Sequence, residues 1–170
     1  MSFQFRAAAF AALTGGALRI ASAFIPYAAE NATLEALYAL IDACLLMGLI
    51  GVYAAYASVL GRVGFAGFVV AALGVASIVG PDAMTIGVDW YAVGASVFVI
   101  GLAVLAVQML RARVAAGAAL AWLGAFASAL AVPLTPYAFA SAGLLLGLGY
   151  VLAGLALTRA AQTKPAFLSV

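Results

Sequence analysis

Glu35, Tyr38, Asp42, Tyr53 and Tyr56 occupy one side of a single apolar stretch, Thr33–Leu60. At about 100° of helical rotation per residue they fall within roughly 40° of one line. Carboxylates and phenols gathered in this way could receive a cation or hold a polar solute. A second unusual charge, Arg19, interrupts the apolar stretch that precedes them. An ionised group inside a membrane span is costly, so each such group calls for a partner. At about 1.5 Å of rise per residue, Arg19 lies roughly 10 Å below the outer membrane boundary and Asp42 close to that boundary. An arginine stem can reach outward over that distance. The expectation is an Arg19–Asp42 ion pair, with Glu35 and Tyr38 as further partners and Tyr53 on the same polar line. Arg19, Glu35, Tyr38, Asp42 and Tyr53 are thus the candidate intramembrane polar cluster.

Much other chemistry is excluded. The chain has no histidine, which removes His-ligated haem, His-containing metal sites and a histidine general base. Its lysine, Lys164, lies beyond the last apolar stretch, so no span offers a retinal-type Schiff base. Cys44 is the sole cysteine, so no intrachain disulfide can form, and inside a span it reads as a small apolar residue. Asp82 and Asp89 share a polar loop but lack the further oxygen ligands a divalent ion requires. No nucleophile is paired with a base, and no glycine-rich phosphate loop occurs, so an enzyme is not expected. Nucleic acid is not an expected partner either, because no basic patch is interleaved with aromatics. Beyond these exclusions the sequence implies no cofactor, and metal ligands are not expected.

The elements that must position the polar cluster follow from composition. Of 170 residues, 69% are hydrophobic and 7% charged, with a mean hydropathy of +1.27. A soluble domain carries about 25% charged residues, so lipid is the natural solvent of this chain. A span needs about 20 apolar residues. The runs broken by proline, glycine or charge predict an all-α, polytopic integral membrane protein. It forms one domain, residues 1–170, with six transmembrane helices at about 5–25, 33–60, 63–80, 90–110, 114–132 and 137–157. A signal peptide competes for the first run, but Arg19 interrupts the apolar region a signal needs. Asn31 or Thr33 is placed to cap the second helix. Trp90 and Tyr91 are placed as interfacial anchors of the fourth.

Six crossings put Arg6, Arg62, Arg111, Arg113, Arg159 and Lys164 on one side, and Glu30, Asp82 and Asp89 on the other. The positive-inside rule then places both termini in the cytoplasm, in a multi-pass cell or inner membrane. Helices in lipid associate through small residues that let backbones approach. Gly16, Gly67, Gly74, Gly143 and Gly147 form stripes of this kind, the last two as a GxxxG. The expected function is a non-catalytic accessory, scaffold or assembly subunit, with the bilayer, other membrane subunits or a second copy as partners. The alternative is a small-solute or ion transporter or channel with its polar site near Arg19, Asp42 and Tyr53.

Overall fold

The structure is a computed structural model that describes residues 3–25, 31–79, 84–85, 88–135 and 137–163. In chain order it contains α1 (Phe3–Ser22), α2 (Ala32–Ile78), β1 (Met84–Thr85), β2 (Val88–Asp89), α3 (Trp90–Arg111), α4 (Ala116–Leu130) and α5 (Tyr137–Thr163). The two short strands pair antiparallel, Met84 with Asp89 and Thr85 with Val88. Everything else of regular structure among the described residues is helix.

The second and third expected spans form one element, α2, broken at Gly61 (φ 63°, ψ −169°). The chain reverses there. Fifteen residues of straight helix would separate Tyr53 from Phe68 by about 22 Å, yet their rings stack with centroids 4.4 Å apart. Only glycine adopts this backbone region readily, so a single residue replaces the Gly61–Arg62 turn expected from the sequence. Five helices therefore make six rods.

Small residues set how the rods pair. Gly48 packs on Ala12 and Gly51 on Ala8, which runs α1 antiparallel to residues 32–60. Gly67 meets the Leu105 backbone and Gly74 that of Phe98, which runs residues 62–78 antiparallel to α3. Gly16 and Gly147 face one another across α1 and α5, and a methyl on Gly16 would stand 2.6 Å from the Gly147 carbonyl oxygen. Gly149 lies beneath the Trp122 indole and joins α5 to α4, and α3 also packs on α4. The order α1, 32–60, 62–78, α3, α4, α5 thus closes on itself as a ring. Dispersion contacts and close backbone approach hold such seams where lipid offers no hydrophobic drive.

These pairings gather Arg62, Arg111, Arg113 and Arg159 at one end of the ring, and Arg19, Glu35, Asp42 and Asp89 toward the other. Ile41, Leu45, Leu49, Leu105 and Met109 fill the interior, while Phe10, Leu73, Leu120 and Phe139 are exposed. A surface carrying large exposed apolar side chains matches lipid rather than water.

Three helices, α2, α3 and residues 137–160 of α5, are long and apolar enough to cross a membrane. Two expected spans differ. The first, α1, ends at Ser22 and carries Arg6 and Arg19; it is not among the three. The fifth, expected over 114–132, is the shorter α4. Arg113 and Ala115 adopt positive φ (55° and 43°) and delay its start to Ala116. It ends at Leu130, where the Ala131 N–H bonds back to the Ala127 and Ser128 carbonyls as the last turn tightens.

Candidate functional site

A cavity of about 480 Å³ opens at the acidic end of the ring. Local chemistry explains how its walls begin. The Asn31 side-chain oxygen accepts from the Thr33 and Leu34 N–H groups (3.1 and 3.3 Å) and starts α2. Asn31, not Thr33, is therefore the cap. Glu35, Tyr38 and Asp42 follow at steps of three and four, so all three line the cavity from one helix face. The Asp89 carboxylate accepts from the Ala92 N–H at 2.9 Å and starts α3, which brings Tyr91 into the cavity wall. Asp89 is thus a helix cap. Glu30 and Asp82 lie outside the described residues.

Arg19 enters from the last turn of α1, where the Ser22 hydroxyl donates to the Arg19 carbonyl at 2.9 Å. Its guanidinium rests over Gly143 of α5; a Cβ at 143 would stand 3.6 Å from Nη2. Gly143 therefore serves as a seat for a charge rather than as a backbone seam, which sets it apart from Gly147, Gly16, Gly67 and Gly74. Ile25, Ile78 and Phe139 supply apolar wall.

Asp42 is 9% exposed, and what remains accessible faces this cavity. Arg19 acts on it electrostatically, but among the described residues no hydrogen bond or ion-pair contact reaches the carboxylate. The two charges share a cavity without touching. A buried carboxylate left without donors is expensive. Beside Asp42, the interior is closed by aromatic rings. Tyr150 lies 5.2 Å from Trp122 and 6.4 Å from Phe98, centroid to centroid. The Tyr150 hydroxyl and Trp122 Nε1 are buried, with no hydrogen-bond partner among the described residues.

The structure thus brings Arg19, Glu35, Tyr38 and Asp42 to one cavity and leaves Tyr53 out. Tyr53 stacks on Phe68 and touches Phe65 at the reversal of α2. Sequence reasoning missed Tyr91, which it read as a membrane anchor, and also Ser22 and Phe139. Tyr91 had a usable signal, since it begins a helix adjacent to the acidic loop. Phe139 had none. Among the described residues no three His, Cys, Asp or Glu side chains group as metal ligands.

An apolar exterior on a helical bundle, with three helices able to span a bilayer, defines a helical membrane protein. Comparison with known protein families, curated proteins and solved structures returns no match to this chain.

Proposed function

We propose that this is a non-catalytic, six-crossing membrane protein that takes a small polar solute into the cavity at its non-cytoplasmic end. The six rods supply the crossings, and the basic residues gathered at the opposite end support cytoplasmic termini by the positive-inside rule. Asp42 carries the reading: a carboxylate buried within a bundle, turned toward a cavity of about 480 Å³ and contacted by no donor among the described residues. Solute sites occupy about 300–1,000 Å³ and combine apolar walls with a few placed polar groups. Gly16, Gly67, Gly74 and Gly147, the stripes expected to pack helix on helix, do so within the chain.

Cysteine accessibility tests the proposal. With Cys44 replaced by alanine, Ala140→Cys in the cavity wall should react with a membrane-impermeant maleimide added outside intact cells. Arg113→Cys should react only after the membrane is opened. The reverse pattern overturns the orientation, and an Ala140→Cys that reacts from neither side overturns the open cavity.

A further inference from the structure

We infer that the cavity is built for a zwitterion, with Asp42 receiving an ammonium group and Arg19 an anionic group of the same molecule. The inference rests on the solute-binding reading above and specifies the solute.

Two opposite charges line one cavity without contact. Asp42 is nine-tenths buried and has no donor among the described residues. An ammonium group brings up to three. Tyr38 and Tyr91 line the same space, and aromatic faces favour a cation nearby. In the same cavity, Gly143 leaves room for the Arg19 guanidinium, whose planar fork suits a carboxylate or phosphate. A singly charged guest cannot satisfy both charges. A cation alone meets the field of Arg19, and an anion alone meets those of Asp42 and Glu35. A molecule carrying both charges answers both ends, and Ile25, Ile78 and Phe139 offer apolar surface to the carbon chain between them. At about 480 Å³ the cavity has room for a guest much larger than a single water, whose share of liquid volume is about 30 Å³.

This chemistry has two sources, a free amino-acid-like solute and an aminophosphate lipid headgroup. The test uses the full chain in dodecyl maltoside, with thermal unfolding followed against γ-aminobutyrate, phosphoethanolamine, n-butylamine and butyrate. It is repeated in phosphatidylglycerol nanodiscs with and without phosphatidylethanolamine. The expected result is binding of a double-charged probe at least tenfold tighter than of either single-charged one. Asp42→Asn should reduce the zwitterion to the level of butyrate, and Arg19→Gln to the level of n-butylamine. Should either variant fail to fold, labelling of Ala140→Cys in the Cys44→Ala background keeps both charges in place. There the zwitterion should slow the reaction at least fivefold more than the single-charged probes do. A response to phosphatidylethanolamine alone assigns the headgroup as source, a response to free probes alone assigns a solute, and both support the inference. Butyrate or n-butylamine binding as tightly as the zwitterion overturns it and leaves the solute-binding reading standing. If no probe or lipid alters either unfolding or labelling, both are overturned.

Discussion

The Arg19 guanidinium of α1 lies over Gly143 of α5, so that a Cβ there would meet Nη2 at 3.6 Å and Cζ at 3.8 Å. One turn further along α5, a Cβ on Gly147 would meet the Gly16 carbonyl oxygen at 2.7 Å. The two glycines of one GxxxG therefore do different work. The first leaves space beside a charge, and the second lets two backbones touch.

That difference predicts opposite responses to one added methyl. Gly147→Ala should cost about 1–3 kcal/mol, the usual range for overpacking a tight seam. Gly143→Ala, entering at ordinary van der Waals distance, should stay within about 0.5 kcal/mol. Unfolding of each variant in mixed detergent micelles measures both, and equal losses would contradict the assignment of the seat.

At Gly61 the obstacle is conformational. Nothing lies within 4 Å of a Cβ built there, but φ is 63° and ψ −169°. Gly61→Ala should cost about 1–3 kcal/mol through backbone strain alone. Arg62→Ala, exposed next to it, serves as the near-neutral control. An alanine at 61 as stable as wild type would mean that the reversal is made elsewhere.

Deep in the bundle, Tyr150 buries a hydroxyl for which no hydrogen-bond partner is found among the described residues. Tyr150→Phe keeps the ring against Trp122 and Phe98 and removes the orphaned group. It should be neutral or stabilising by up to about 1–3 kcal/mol, the scale of leaving a buried polar group unsatisfied. A clear loss of stability in the unfolding assay would reveal a partner for that hydroxyl.

Tyr53 separates stability from binding. Its stack on Phe68 is worth about 0.5–1.5 kcal/mol beyond the area it buries. Tyr53→Leu should lower the unfolding midpoint and leave zwitterion affinity unchanged within twofold. A tenfold loss of affinity would return Tyr53 to the polar cluster.

Local sequence was enough to place several features. Continuous apolar runs of about 20 residues form helices in lipid, because a helix satisfies its backbone hydrogen bonds within one segment. Prolines, glycines and arginines marked where the rods break, and the breaks fall near those places. Glu35, Tyr38 and Asp42 share a face because helical geometry fixes the direction of residues three and four apart. Tyr53 fell on the same line, and that geometry says nothing of depth: it sits about 16 Å along the axis from Asp42 at 1.5 Å per residue, against a different neighbour.

Tertiary structure alone decided what stands opposite that face. Tyr91 and Phe139 reach the cavity only because the ring closes, and closure depends on which small residues of one helix meet which of another. That match is a property of pairs of surfaces, so no single segment encodes it. The same holds for the central pair of charges. Spacing along two helices could bring Arg19 and Asp42 to similar depth, but the missing side chain at Gly143, on a third helix, gives the guanidinium its place and leaves the carboxylate facing open space.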